Sequence, residues 1–317
     1  MEQKKTRLLN LNDQERRTRA EEKRLARMMK ALKAIHSAGP AESMEPEDLA
    51  RQRAAQDILG RLAAPMVGMR WEPFDLNGMK AAWVRPEWGH DRSQIILYCH
   101  GGGYTSGNLG YSRPLASKLS HVSGRETLCF EYRLAPEHPY PAAVEDAVRV
   151  WDYLMYQGYG ARDVTVAGDS AGGNLALVLL HRLKAEGRQL PRRLVLMSPW
   201  TDMTASGESY TQRAELDPTI TMEYIRAVRT AYAGGADLSD PMLSPLFGDF
   251  SDFPPTLIQV GGNELLYSDS EQLMKRMRAA GVLCRLEEWK EMWHVFQMMP
   301  IKKAAEAMEH VGEFLLR

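Results

Sequence analysis

Val164-Thr-Val-Ala-Gly168-Asp-Ser170-Ala-Gly172-Gly173-Asn174-Leu-Ala-Leu177 joins a short β-branched run to an apolar helical one, with Gly-x-Ser-x-Gly at the junction. A chain that leaves a strand and enters a helix within one or two residues must turn so sharply that flanking side chains collide. Glycine on either side removes that clash and leaves the serine strained and exposed. With 25 glycines and 17 serines in 317 residues, the bare pattern is expected about 0.1 times by chance. The strand–turn–helix setting is what makes Ser170 a candidate nucleophile and not simply a tight turn.

The same logic extends upstream. Ile95–Cys99 reads as a strand and runs into His100-Gly101-Gly102-Gly103-Tyr104. A dinucleotide-binding loop needs a third glycine at position 106, where the chain has Ser106, and no phosphate-loop Gly-Lys-Ser/Thr occurs. The remaining reading is a loop whose bare backbone N–H groups face a developing negative oxygen.

Further strands are predicted at Thr127–Glu131, Val164–Ala167, Leu194–Met197, Thr256–Val260 and Cys284–Trp289. Between them, helices are predicted at Pro114–His121, Ala142–Tyr156, Ala171–Leu183, Met222–Ala231, Asp269–Ala280 and Lys302–Leu315. Asn77-Gly78, flanked by Met69–Phe74 and Met79–Val84, predicts a hairpin ahead of this alternation. Strand and helix in turn predict an α/β fold, a mainly parallel, doubly wound sheet covered on both faces.

A serine nucleophile needs a base, and the base an orienting acid. Of eight histidines, His294 alone falls on a loop after the last strand and before the last helix, at the carboxyl end of the sheet where Ser170 also belongs. A histidine between Trp293 and Val295 can also be a merely buried one. The order serine, acid, histidine along the chain favours the base.

Composition narrows the class. Apolar residues at 44%, charged residues at 26% and a net charge of -1 describe an ordinary globular protein with no field to recruit nucleic acid. Cys99, Cys129 and Cys284 are odd in number and far apart, which excludes a disulfide scaffold or a CxxC site. No apolar run is long enough for a membrane span. The start of the chain lacks a signal-peptide core. The expectation is a cytoplasmic protein without membrane insertion.

Residues 1–35 carry eleven Lys/Arg against five Asp/Glu. They read as the solvated face of an amphipathic helix, with Leu25, Met28, Met29, Leu32 and Ile35 as its apolar stripe, more than as a basic arm for an acidic partner. A second helix is predicted over Asp48–Leu62.

Taken together, His100-Gly-Gly-Gly103, Tyr132-Arg-Leu-Ala-Pro-Glu-His-Pro139, Gly168-Asp-Ser-Ala-Gly172, Ser198-Pro-Trp-Thr-Asp202, Asp240-Pro241 with Ser244-Pro245, and His294-Val-Phe resemble the hormone-sensitive-lipase family of α/β-hydrolases. The resemblance runs from about Ile95 to the C-terminus. It implies an α/β-hydrolase fold with a helical cap: residues 1–65 as an N-terminal cap segment, 66–317 as the catalytic domain, and a second cap insertion around 203–240. It implies a carboxylesterase that hydrolyses short-acyl, water-soluble esters through an acyl-enzyme, with Ser170 as nucleophile and His294 as base. Backbone N–H groups of Gly102, Gly103 and Ala171 would form the oxyanion hole. No metal or organic cofactor is implied; the partner is a small ester, such as an acetylated sugar or aryl ester, and a homo-oligomer stays open.

Many members of that family carry Asp-Pro-Leu at the acid position, whereas this chain reads Gly261-Gly-Asn-Glu264-Leu-Leu-Tyr-Ser-Asp269. In register Glu264 is the acid, with Asp269 as the alternative. Ser268 and Glu271 read as a capping box that would place Asp269 in a first helical turn. Asp202 and Glu137-His138 read as structural, and Cys99 as a core residue. Two rivals remain: a ligand-binding pseudoenzyme, which would lack part of the triad, and an amide or aryl-formamide hydrolase, which would keep it.

Overall fold

A computed structural model describes residues 44–62 and 66–316, with Lys23 and Lys30 besides. The Leu25–Ile35 stripe lies outside the described residues.

The sheet has eight strands: β1 (Met69–Leu76), β2 (Met79–Pro86), β3 (Asp91–Cys99), β4 (Arg125–Phe130), β5 (Val164–Asp169), β6 (Arg193–Met197), β7 (Thr256–Gly261) and β8 (Cys284–Trp289). Their spatial order is β1-β2-β4-β3-β5-β6-β7-β8. β1 and β2 pair antiparallel, as do β2 and β4, and every other neighbour is parallel. The hairpin closes at Leu76 opposite Met79, with Asn77 and Gly78 at φ 52° and 87°. Positive φ at both central residues is the turn that Asn-Gly accepts most readily.

From residue 44 on, the α-helices among the described residues are α1 (Pro46–Leu62), α2 (Leu109–Ser123), α3 (Ala142–Tyr156), α4 (Ala171–Ala185), α5 (Ser209–Gln212), α6 (Met222–Ala233), α7 (Tyr267–Ala279) and α8 (Lys302–Leu316). Alternate residues of the central strands feed two cores, because successive side chains leave opposite faces of a strand. Leu97, Val166, Leu196 and Ile258 face α3, α4 and α7. Ile96, Ala167, Val195 and Leu257 face α2 and α8. The sheet is therefore buried on both sides, as its unbroken apolar runs require.

Some boundaries differ from the sequence reading. Glu131 lies beyond β4. Helix α2 starts five residues before Pro114, because Asn108 caps it by accepting from Tyr111 N at 2.9 Å. Helix α7 begins at Tyr267, so Ser268 is inside it and the expected capping box does not form. Ser268 Oγ accepts instead from Ser209 N at 2.9 Å, tying α7 to α5.

Strand β3 has β4 on one side and β5 on the other, so the chain winds outward in opposite directions from this point. Loops leaving β3 and β5 diverge there and open a crevice at the carboxyl edge. The glycine loop and Ser170 occupy that crevice.

Candidate active site

Ser170 stands between β5 and α4 at φ 53° and ψ -122°. A Cβ at Gly168 would collide with Gly172 O, and one at Gly172 with the carbonyls of Cys99 and His100. The glycines are thus required by close backbone approach, not by flexibility. The Ser170 carbonyl accepts from Gly173 N at 3.0 Å and Trp200 N at 3.1 Å, which anchors the elbow on two sides.

His294 follows β8, and its Nε2 lies 2.8 Å from Ser170 Oγ, hydrogen-bond reach for proton transfer. Burial pushes the imidazole down to about 3. A neutral ring, able to accept the serine proton, is the form this pocket favours.

Glu264 is fully buried at the end of β7. Its Oε2 accepts from Ser198 Oγ at 2.7 Å and from Gly261 N at 3.0 Å. Ser198 Oγ in turn accepts from Val295 N at 3.0 Å, so one hydroxyl links the carboxyl to the residue after His294. The acid and histidine loops also meet directly, through Asn263 N and Met292 O at 2.9 Å. Glu264 Oε1 and His294 Nδ1 are both buried, and neither meets a hydrogen-bonding partner. Desolvation raises the Glu264 carboxyl well above its ordinary range, with Asp217 and Asp269 adding repulsion.

Asp269 takes a different place. Its Oδ2 accepts from Thr201 N at 2.6 Å and Asp202 N at 2.9 Å, clamping the loop after β6. Burial raises it to about 7. Asp202 secures its own loop, Oδ1 accepting from Thr204 N at 2.8 Å and Oδ2 from Ser206 N at 2.9 Å. Glu137 pairs with Arg53 of α1 through two 2.8 Å contacts. Cys99 is fully buried, and burial and the nearby Asp169 raise its thiol above the usual range.

The glycine loop arches over Ser170. Gly102 has φ 118° and Gly103 φ 61°, conformations that disfavour any side chain. Gly102 O is used within the loop, accepting from Thr105 N at 3.1 Å and Ser106 N at 3.0 Å. Among the described residues, the N–H groups of Gly102, Gly103 and Ala171 meet no acceptor. Such free donors are what an oxyanion hole consists of.

Sequence reasoning missed what holds this loop. Asp169, the residue before the serine, is buried and accepts from Gly101 N at 2.9 Å, Tyr98 OH at 2.5 Å and Tyr111 OH at 2.8 Å. Desolvation lifts it to about 6. It ties the glycine loop to the elbow. His100 serves the same loop, its Nδ1 2.8 Å from Gly101 O and its ring stacked on Tyr132 at 4.1 Å. Burial pushes this imidazole down to about 4. The bridging role of Ser198 was also missed; a serine before proline gives no hint that it spans two distant loops.

Two elements lie over the glycine loop. Arg53 of α1 donates from Nε to Thr105 O at 2.9 Å. From α6, Tyr224 Oη and Val228 Cγ1 come so near Gly103 that a Cβ there would lie 2.6 and 3.0 Å from them. Tyr232 stacks on Tyr104 at 3.6 Å. No helix among the described residues is long and apolar enough to cross a membrane.

Residues 96–298 match the family model described as the alpha/beta hydrolase fold. The chain is 37% identical over 274 residues to an acetyl-hydrolase of Streptomyces hygroscopicus, covering 86% of this chain and 89% of that protein. It is 33% identical over 265 residues to an esterase of Acinetobacter venetianus, covering 83% and 87%. A crystal structure of an esterase from the bacterial hormone-sensitive lipase family superposes with a TM-score of 0.85 at 36% identity, over 92% of this chain and 96% of that one. EstE5, in a crystal soaked with p-nitrophenyl butyrate, superposes with a TM-score of 0.83 at 35% identity, covering 92% and 97%.

Proposed function

The chain belongs to the α/β-hydrolase-fold family, alongside the bacterial hormone-sensitive-lipase esterases, and on that premise we propose that it hydrolyses short-acyl, water-soluble carboxylic esters through an acyl-enzyme on Ser170. The observation that carries the proposal is the 2.8 Å contact between His294 Nε2 and Ser170 Oγ.

In this reading Ser170 Oγ attacks the ester carbonyl as its proton passes to His294 Nε2. The carbonyl oxygen becomes an oxyanion held by the N–H groups of Gly102, Gly103 and Ala171. Collapse breaks the ester C–O bond, and the leaving alcohol takes the proton from His294. Water then repeats the sequence in reverse and frees the acid. Glu264 orients the imidazole through Nδ1 and stabilises its cation. The unpartnered Oε1 and Nδ1 support that pairing, and the prior engagement of Asp269 with two backbone amides argues against the alternative acid.

Helices α1 and α6 are the cap in this proposal, within an N-terminal segment 1–65 and an insertion around 203–240. Tyr224 and Val228 close over Gly103 and leave little depth above the oxyanion donors, which favours small acyl groups. The names of the acetyl-hydrolase relative and the butyrate soak of EstE5 point the same way. The partner is a small ester, and the three free, buried cysteines suit a cytoplasmic setting.

A fluorophosphonate followed by intact-mass measurement tests the nucleophile: one adduct is expected on the wild type and none on Ser170→Ala. Equal labelling of both proteins refutes the assignment. A p-nitrophenyl ester series from acetate to laurate, beside matching anilides, is expected to peak at short esters; a peak at laurate or on the anilides overturns the substrate class.

A further inference from the structure

Val295, next to His294, sits at φ 51° and ψ 39°. Among the described residues it is the β-branched residue with positive φ. Such a backbone costs on the order of 1–3 kcal/mol and persists only where its surroundings over-determine it. Before the strained bond, Ser198 Oγ holds Val295 N. After it, the carbonyls of Gln297, Met298 and Met299 all accept from one group, Lys118 Nζ of α2, at 2.6, 3.1 and 3.1 Å. An ammonium has three donors, and here all three converge on consecutive carbonyls of the histidine loop.

We propose that Lys118 is a positioning residue for His294: it clamps the loop behind the histidine, holds Val295 in its strained conformation and so aims Nε2 at Ser170. The inference rests on the reading of His294 as general base. Lys118 touches neither substrate nor reacting atoms; it acts through the backbone.

The setting makes the clamp sensitive to alkali. Burial lowers the Lys118 ammonium to about 8. His121 of its own helix and Lys302, Glu309 and Glu313 of α8 line the same cleft of about 830 Å³, while the hydrogen bonds of Lys118 go to the three carbonyls. Loss of the proton leaves two donors for three carbonyls and removes the charge, so the loop loosens as pH rises through that value.

The test uses the full-length protein and p-nitrophenyl acetate. Lys118→Met keeps the apolar stem and is expected to lower kcat by about 10- to 100-fold, the scale of an ångström-sized misplacement, with KM within about twofold. Wild-type kcat is expected to fall above about pH 8, and the residual activity of Lys118→Met to lack that limb. Wild-type kcat in Lys118→Met, or the same alkaline limb in both proteins, overturns the proposal. Should Lys118→Met not fold, Lys118→Arg, whose guanidinium stays charged, must move the limb upward; an unmoved limb is again a refutation. His294→Ala separates the two readings. If it stays fully active the base assignment fails, and this inference with it. If it is inactive while Lys118→Met is normal, only the clamp fails.

Discussion

Glu264→Gln exchanges one buried oxygen for an NH2 group of the same size. The amide oxygen can still accept from Ser198 Oγ and Gly261 N, the two bonds that now hold Oε2 at 2.7 and 3.0 Å. The NH2 group then takes the place of Oε1, the oxygen that the proposed pairing turns to Nδ1 and that has no partner elsewhere. A donor there cannot accept from Nδ1–H, so the imidazole is left in the wrong tautomer and its cation unsupported. The expected loss is about 10⁴ in kcat, the scale for a triad acid turned amide, or about 5.4 kcal/mol of transition-state stabilisation. Stability moves the other way. Desolvation and two neighbouring carboxyls raise the Glu264 carboxyl in the fold, so its contribution is full below the unfolded value of ~4.5 and is lost as pH rises. Glutamine has no proton to lose, so the variant gains on the wild type as pH rises from 4.5 towards 8. Steady-state kinetics and thermal unfolding at pH 4.5 and 8 measure both. A near-normal kcat, or a variant less stable than wild type at pH 8 by more than at pH 4.5, refutes the assignment.

Ser198→Ala removes the hydroxyl that joins Glu264 to Val295 N and leaves a buried N–H unpaired. Denaturant unfolding is expected to show a loss of about 1–3 kcal/mol, and kinetics a fall in kcat with KM little changed. Asp269→Ala strips the shared acceptor from Thr201 N and Asp202 N. A cost of about 2–5 kcal/mol is expected, with kcat of the folded protein near normal; a collapse in kcat at intact stability would make Asp269 the acid instead.

What could be read from the sequence follows the range of the interactions involved. Strands β3, β5, β6 and β7 carry apolar runs, and the positions of β3 to β8 come through to within a few residues. Ser170 and the glycine loop were legible because steric demands of a local turn are written into adjacent residues. The error at Ser268 has the opposite origin: Ser268-x-x-Glu271 satisfies a local rule, but Ser209, brought in by the insertion after β6, claims Ser268 Oγ first. Ser198, Asp169 and Lys118 were not assignable because each acts on partners between 58 and 181 residues away in the chain. Nothing near them in sequence records the contact.

The same distances explain how the site can hold so much that is unfavourable. Ser170, Ser198 and Val295 all sit at φ near 50°, where only glycine is at ease. Glu264, Asp217 and Asp269 are buried carboxyls, and the other two raise Glu264 further. None of this lowers the free energy of the fold. Each strained residue is instead held by a hydrogen bond from a neighbouring strand or loop: Ser170 N on Met197 O at 3.0 Å, Ser198 N on Gln259 O at 2.7 Å, Val295 N on Ser198 Oγ at 3.0 Å. The three form a chain across β5, β6, β7 and the histidine loop, anchored in strands buried on both faces except at Arg193. A rigid parallel sheet supplies fixed points close enough together for one loop to brace the next. That is why the serine, the carboxyl and the histidine, drawn from three separate loops, need no local sequence signal to meet.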